Sequence, residues 1–571
     1  LSLSILRGAA RPGDVALAMD GGLAADRYRM SVTPQGVSVL GGSHEALLGG
    51  VQTLRQWVQR CGAALGEIEA EDWPDIANRC YYLDVSRGRV PTLDTLKRYA
   101  DLLCRYKINQ WQLYVEHTYL FRDFSEAWRD DTPLTAEEIM ELDAYCRARC
   151  IELVPSLSTF GHMYKLLSTK TLCELCELPD SEKIPYSYTY AGDHHTLNVS
   201  HEGALPLILR MIDEYMELFT STKFNICADE TFDLGKGRSA DLKQELGERA
   251  LYMNHVKALC EHVVSKGRTP MFWGDIVWRY PEAYGMLPKE TVCLNWGYLP
   301  DQREDEIRAL AQAGATQYAC PGVCGWNRWF PLVRHAYANN QVMCAHGRKY
   351  GVIGHLNTDW GDYGHINHPW FTVPGILFGA AFSWNAKPAA FDELCGAISF
   401  LEYGDTSETF MRGFAALSEH EVFDWFHAVR FIEAKTQERR RELFDEIAPG
   451  DVPEANAAID AALAQVRRSL GTMPPQKREL MQAIDLVADG VKLWNDIAVY
   501  IGRTCYGMPG DGVPGDDLSG GGERLAERLE RWFRAYTLLW RGVSKEAGLP
   551  KTLKIVTDYA DFLRGRDYAS V

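Results

Sequence analysis

The sequence predicts an α/β protein: a (β/α)8 TIM barrel preceded by a small α+β domain and followed by an all-α C-terminal domain. Three observations predict it. From Arg79 to about Asn385, eight short apolar runs of strand length alternate with amphipathic helical stretches, the pattern of parallel βα units. The first run is followed by Asp84-Val85-Ser86-Arg87-Gly88-Arg89, not by the Gly-rich phosphate turn that a doubly wound nucleotide-binding sheet usually carries there. Beyond Phe391 strand signals vanish and helical patterns take over.

Taken in order, residues 1–76 form the small domain. Tyr28-Arg29-Met30-Ser31-Val32 and Gly36-Val37-Ser38-Val39-Leu40 alternate about the turn Pro34-Gln35-Gly36, and a helical pattern runs from Glu45 through Gln59. Residues 77–390 form the barrel. Its strands are expected at Tyr81–Ser86, Ile108–Glu116, Ile151–Ser158, Lys223–Glu230, Thr269–Asp275, Thr291–Gly297, Thr316–Gly322 and Val352–Trp360. Eight strands in about 300 residues suit such a barrel with insertions. Residues 391–571 are helical, with helices expected at Val422–Leu443, Glu454–Leu470, Lys477–Ile501 and Glu523–Arg541. The Gly/Pro/Asp-rich stretch Gly507–Gly522 reads as a loop or as disorder.

Composition narrows the function. The 571 residues are 46% hydrophobic and 24% charged, which describes a folded chain with a large core. A net charge of -17 repels polyanions and disfavours nucleic acid or an anionic membrane as partner. No apolar run is long enough to span a bilayer. The 15 cysteines, scattered and odd in number, read as mostly buried, reduced thiols and hence a cytoplasmic protein. The chain opens Leu1-Ser2-Leu3-Ser4 with neither a Met nor a secretory signal pattern, as a fragment would. With 16 Trp and 27 Tyr the aromatic load is high, which suits a large core and a sugar-binding cleft equally.

Barrel enzymes carry their chemistry at the C-terminal ends of the strands. Here those ends hold Glu116-His117, Phe160-Gly161-His162, Asp229-Glu230, Trp273-Gly274-Asp275, Trp296-Gly297-Tyr298, Trp326-Asn327 and Trp360-Gly361-Asp362. One Trp or Asp at a strand end is ordinarily packing or helix capping; seven coincident endings describe a pocket. Indoles stack on apolar sugar faces and carboxylates accept from hydroxyls, so the set suits a neutral polyhydroxylated ligand. Phosphate is disfavoured, because neither a Gly-rich cradle nor an Arg cluster is present. Asp229-Glu230 is the sharpest feature. Neighbouring residues on a strand point to opposite faces, so these two would divide the work rather than act as an acid and nucleophile pair. Capping of a helix that starts at Thr231 or Asp233 explains them equally well.

In order and spacing these residues resemble glycoside hydrolase family 20, the β-N-acetylhexosaminidases, over the first 385 or so residues. Gly49-Gly50-Val51-Gln52-Thr53-Leu54 resembles the end of the family's small domain. Arg79, with Leu83-Asp84-Val85-Ser86-Arg87, is similar to its first-strand segment, whose leading Arg binds the sugar's outer hydroxyls. Phe160-Gly161-His162 and Phe224–Glu230 resemble its Gly-His and Asp-Glu segments. Trp273, Trp296 and Trp360 fall where its pocket tryptophans lie, Glu116 where it has an Asp, and Asp362 where a hydroxyl-binding carboxylate stands. The resemblance implies that Glu230 is the general acid and base, and that Asp229 orients the substrate's 2-acetamido group, whose oxygen is the nucleophile. It implies binding roles for Arg79, Glu116, His162, Trp273, Asp275, Trp296, Tyr298, Trp326, Asn327, Trp360 and Asp362, on a glycan or small molecule ending in N-acetylhexosamine, with no cofactor.

Two departures stand out. The family's His-x-Gly-Gly-Asp-Glu reads Asn225-Ile226-Cys227-Ala228-Asp229-Glu230, and its strand-seven Tyr-x-Asp is not recognisable in Cys320–Asn327; Asn327 or Tyr298 is the candidate replacement. They suggest a divergent branch. A metal site finds no zinc spacing among His194-His195, Cys320/Cys324 or His355, His365 and His368. Cys227 and Cys324 lack a nucleophile's context, and no Gly-x-Ser-x-Gly elbow occurs. The competing readings are another acetamido-assisted barrel glycosidase, chitinase-like or O-GlcNAc-removing, and an amino-sugar-binding protein without catalysis. A homodimer is the expected assembly.

Overall fold

The computed structural model describes residues 8–62, 64–387, 389–508 and 521–565. Four strands, β1 (Val15–Met19), β2 (Tyr28–Thr33), β3 (Gly36–Gly41) and β4 (Ile68–Asp72), form a sheet in the order β1-β3-β2-β4, antiparallel except for the β1–β3 pair. β1 and β4 escaped the sequence reading because both are exposed edge strands with no buried face to impose a strong alternation. The helix His44–Cys61 starts at Ser43, whose Oγ accepts from Ala46 N, and lies across the sheet. Gly50 lets the two surfaces meet, since a Cβ there would run into Val39 and the Tyr28 ring.

Eight parallel strands then close a barrel: β5 (Asn78–Asp84), β6 (Gln110–Val115), β7 (Glu152–Leu157), β8 (Lys223–Asn225), β9 (Thr269–Trp273), β10 (Val292–Trp296), β11 (Thr316–Cys320) and β12 (Gly354–Asp359). The seam is β12 on β5, paired from Gly354↔Asn78 to Asp359↔Leu83. Burial along the strands shows no alternation, because both faces are covered, one by helices and one by the barrel interior, so polar residues such as Gln110 and Gln112 are buried with the apolar ones. The interior is filled by Tyr82, Tyr114, Val154, Met271, Trp273, Leu294, Tyr318 and Leu356. β8 ends at Asn225, five residues short of the expected Glu230. That shortening makes the functional site.

Among the described residues of the C-terminal region, helices are the only regular elements longer than an isolated bridge. The expected single helix Val422–Leu443 is two, Trp425–Glu433 and Gln437–Asp445, because Ala434 leaves helical geometry and Thr436 caps the next helix through Arg439 N. The others run Val452–Ser469, Leu480–Tyr506 and Gly521–Arg541, and a final helix, Leu549–Leu563, was not anticipated. Residues 509–520 of the expected loop Gly507–Gly522 lie outside the described residues, while Gly521 and Gly522 open a helix. Among the described residues no helix is long and apolar enough to cross a membrane.

The helical region shares one continuous core with the barrel. Trp329, from the loop after β11, stands edge-on to Trp425, Trp532 and Tyr536 at ring separations of 5.4, 4.9 and 5.3 Å. Arg89, just past β5, is buried over the Trp540 ring and donates to Ser544 Oγ and the Tyr536 hydroxyl.

Candidate active site

A cleft of about 410 Å³ opens at the C-terminal end of the barrel. Its centre is the segment between β8 and Thr231. Cys227, Ala228 and Glu230 have φ of 55, 67 and 47°, left-handed values that cost L-residues roughly 1–2 kcal/mol each. The departures Cys227 and Ala228 thus sit where the backbone is left-handed, the geometry glycine adopts without strain. The turn also answers the strand-parity objection. Asp229 and Glu230 are not on a strand, and both carboxylates reach His162 Nε2 at 3.3 Å.

The surroundings hold this turn. Glu230 N donates to Asp275 Oδ2 at 3.0 Å, and Thr159 Oγ1 donates to Ile226 O. Gly161 packs so closely that a Cβ would collide with the Asp229 carbonyl oxygen. His162 is itself left-handed, and its N–H donates to His195 Nδ1 at 2.7 Å. His195 Nε2 donates to Gly192 O, and burial, His162 and Arg87 depress its pKa, so the ring is neutral with its proton on Nε2.

Charge is arranged around a buried imidazolium. Burial and Arg87 oppose protonation of His162, yet Asp229 and Glu230 push its pKa up to about 10. Burial likewise opposes ionisation of Asp229, but His162 and then Arg87 hold its carboxyl below the usual range. Asp275 goes the other way: burial and the Asp229 charge push it well up. Asp229 Oδ1 is buried and has no hydrogen-bond partner among the described residues.

At the far end of the cleft, Arg87 joins β5, β6 and the β12 loop. Its Nε donates to Glu116 Oε1 at 2.9 Å, its Nη1 to Asp362 Oδ1 at 3.2 Å and its Nη2 to the Tyr114 hydroxyl. Asp84 sets the two loops side by side, accepting from Ser86 N and Arg87 N with one oxygen and from Gly361 N with the other. Burial pushes Asp362 up to about 6 against the pull of Arg87. Asn327, left-handed like Asp362, donates to Asp362 Oδ2 and accepts from Tyr363 N.

Aromatic rings line the rest. Trp360 donates from Nε1 to the Tyr298 hydroxyl at 2.7 Å, Tyr298 stacks on Trp296 with planes 11° apart, and Trp326 meets Tyr298 edge-on. Tyr298 therefore takes a central place in the wall between Trp296, Trp326 and Trp360.

Of the residues singled out in the sequence, the cleft brings together Glu116, His162, Asp229, Glu230, Trp296, Tyr298, Trp326, Asn327, Trp360 and Asp362. Three lie elsewhere. Arg79 is the second residue of β5, so it is at the opposite end of the barrel, buried against Ile76 O, Ala77 O, Lys107 O and Glu45. It cannot reach a sugar in the cleft. Trp273 is fully buried beneath the floor, in contact with Tyr82 and Trp360, and Asp275 works on the Glu230 backbone instead of lining the cavity. Arg87 was passed over, although its place three residues past the strand end is the signal that finds it: strand ends, not strand starts, face the site. Tyr164, Tyr186 and Tyr188, with Phe426 and Lys551 from the helical region, also line the cleft. Nothing local in the sequence marks them. Among the described residues no group of three or more His, Cys, Asp or Glu is placed to hold a metal ion.

Comparison with known proteins agrees with this fold. Residues 77–324 match the family model described as glycosyl hydrolase family 20, catalytic domain, and residues 3–73 match glycosyl hydrolase family 20, domain 2. A Bos taurus protein named hexosaminidase D is 27% identical over 232 residues, which is 39% of this chain and 63% of that one. A β-hexosaminidase of Akkermansia muciniphila is 31% identical over 163 residues, 24% of this chain and 32% of that one. The chain thus spans less than two thirds of the length of either relative. The crystal structure of a β-N-acetylhexosaminidase from Bacteroides fragilis superposes with a TM-score of 0.55 at 20% identity, covering 67% of this chain and 82% of that one, a likeness of fold. With both family models matched in sequence order, small domain then barrel, and the Asp-Glu pair at the mouth of that barrel, the chain belongs to glycoside hydrolase family 20.

Proposed function

We propose that the protein is a retaining exo-glycosidase that removes terminal β-linked N-acetylhexosamine, with the substrate's own acetamide as nucleophile. The observation that carries the reading is Asp229: a buried carboxylate in the cleft wall, held ionised beside His162, whose Oδ1 has no hydrogen-bond partner among the described residues. An acetamido N–H supplies the missing donor and is thereby oriented.

The steps follow from the groups present. With its N–H held by Asp229, the acetamide turns its carbonyl oxygen on C1, an intramolecular attack that needs no second nucleophile. The C1–O bond breaks, its electrons leave with the aglycone oxygen, and Glu230 supplies that oxygen's proton. The resulting oxazolinium charge lies beside the Asp229 anion. Glu230, now a carboxylate, takes a proton from water as its oxygen attacks C1, which reopens the ring and returns the β-anomer. His162 is a positioning residue: its ring stands 3.3 Å from both side chains, and its charge keeps Asp229 ionised while Glu230 carries the transferred proton. Arg87, Glu116 and Asp362 are placed for the outer hydroxyls, Trp360 for the sugar face.

A fluorogenic N-acetyl-β-glucosaminide and its galacto epimer test this, with the first-formed anomer read by NMR. Release of the β-anomer from either is expected; no turnover of either, or an α product, overturns the reading. Glu230→Gln is expected to lower kcat roughly 10²–10⁴-fold. Asp229→Asn is expected to lower kcat about 10²–10³-fold, with the loss concentrated on substrates that carry the acetamide. A thiazoline mimic of the cyclised intermediate is expected to inhibit the wild type and to lose most of its affinity in Asp229→Asn.

A further inference from the structure

The helical region reaches the reacting groups by a route that runs behind the cavity wall. Its helix Trp425–Glu433 ends on Glu433, whose carboxylate meets the first turn of a short helix, Tyr188–Asp193, in the connection between β7 and β8. Tyr188 N donates to Glu433 Oε1 at 2.8 Å, and Thr189 N and Thr189 Oγ1 donate to Oε2 at 2.9 and 2.8 Å. Ser187 accepts from Tyr190 N through Oγ and from Ala191 N through its carbonyl. The first four N–H groups of the short helix are thus all satisfied, two of them by a residue from the helical region.

The other end of the same helix supports the catalytic pair. Gly192 O accepts from His195 Nε2 at 2.9 Å, and His195 Nδ1 accepts from His162 N at 2.7 Å. Met163 N donates to His195 O at 3.0 Å, and the His162 and His195 rings lie 4.2 Å apart. His195 is fully buried and so grips the backbone of His162 on both sides of its side chain. That backbone is left-handed, with φ of 55°, a conformation that persists in a non-glycine residue only where its surroundings impose it. The His162 ring in turn stands against both Asp229 and Glu230. From Glu433 to the two carboxylates, each link is therefore a short helix or a direct contact.

We propose that Glu433 and His195 are positioning residues for the reaction: through the helix Tyr188–Asp193 the helical region holds His162, and His162 sets Asp229 and Glu230 against the substrate. The proposal rests on the hexosaminidase reading. Neither Glu433 nor His195 lines the cleft, so their loss is expected in kcat and not in KM. Glu433→Ala and His195→Phe are each expected to lower kcat for 4-nitrophenyl N-acetyl-β-glucosaminide about tenfold, with KM changed less than about twofold. Glu433→Gln, which keeps one accepting oxygen, is expected to fall between Glu433→Ala and the wild type. Tyr188, Ala191, Gly192 and Asp193 of the linking helix do line the cleft, which gives a displaced helix a second, direct way to act. A double-mutant cycle separates the two routes. If Glu433 acts through His195, the double variant loses no more kcat than His195→Phe alone. A residue that only stabilised the fold would lower the unfolding midpoint and leave the kcat of the folded enzyme as it was. Should the variants fail to fold, hydrogen exchange in the wild type decides. Saturation with the thiazoline inhibitor is expected to slow exchange of the Thr189 and Tyr190 amides, neither of which lines the cleft. If the wild type cleaves the compound and Glu433→Ala leaves kcat unchanged, raises KM alone, or multiplies with His195→Phe, this proposal falls and the hexosaminidase reading stands. Unchanged exchange at Thr189 and Tyr190 on inhibitor binding overturns it likewise. If the wild type cleaves neither this compound nor its galacto epimer, the hexosaminidase reading falls and the proposal with it.

Discussion

At the residue scale the site depends on a strained turn. Cys227 and Ala228 hold left-handed backbone where the family motif has glycines. Ala228→Gly is therefore expected to stabilise the fold by about 1 kcal/mol, read as a raised midpoint in urea, because the strain removed exceeds the chain entropy glycine adds. Cys227 is less suitable for this test, since its thiol also contacts Ser156 and Tyr82. Two groups set the pH response. His162 has its folded pKa raised from 6.5 to about 10, so its ion pairs contribute fully below 6.5 and are lost as pH rises through 10. Activity is expected to fall on that alkaline side. Asp362, pushed up to about 6, takes a proton as pH drops through that value and weakens its hold on Arg87. An acid limb in kcat/KM near pH 6 is expected, and Asp362→Asn is expected to remove it; a limb that persists in the variant contradicts the assignment. The Asp-Glu pair was legible because residue types and order suffice to suggest it. The unpartnered Asp229 oxygen was not, because it depends on which donors the fold leaves out.

At the element scale, the loop after β11 ties the cleft to the helical region. It carries Trp326 and Asn327 into the cleft and, two residues on, Trp329 into the helical core. Glu421 accepts from Trp329 N and Phe330 N, and Asp424 pairs with Arg328. Trp329→Ala is expected to cost about 3–5 kcal/mol of stability. It is also expected to lower kcat/KM through displacement of Trp326 and Asn327, which a variant that only loosens the core would not do. Urea unfolding and steady-state kinetics on the same sample separate the two effects. The barrel strands were legible because short segments rich in aromatic and aliphatic residues recur between amphipathic helices, even where polar residues such as Gln110 and Asn357 share the strand. β1 and β4 were not, as edge strands need no such pattern. The length of β8 escaped for another reason. Ile226 to Ala228 is apolar enough for a strand, and Ile226 and Cys227 still bond the β9 backbone. Cys227 and Ala228, however, take left-handed backbone that ends the strand, with Gly161 and Asp275 holding the Asp229-Glu230 turn that follows.

For the whole molecule, one core runs through the barrel and the helical region, with Trp329, Trp425, Trp494, Trp532 and Trp540 all inside it. Barrel and helices are therefore expected to unfold together, in a single urea transition seen alike by tryptophan fluorescence and by loss of activity. Two resolved transitions would show that the regions stand independently. The amino-acid order by itself determined the succession of small domain, barrel and helices, the end of the barrel that works, and the Asp-Glu pair, since periodicity and strand-end position are local properties of the chain. Tertiary structure decided the rest: that Arg87 and not Arg79 reaches the cleft, that Trp273 lies under the floor, and that Phe426 and Lys551 form part of its wall. Those facts depend on which distant segments share a surface, and closure of the barrel with its helical buttress sets that, whereas hydrophobic spacing along the chain does not.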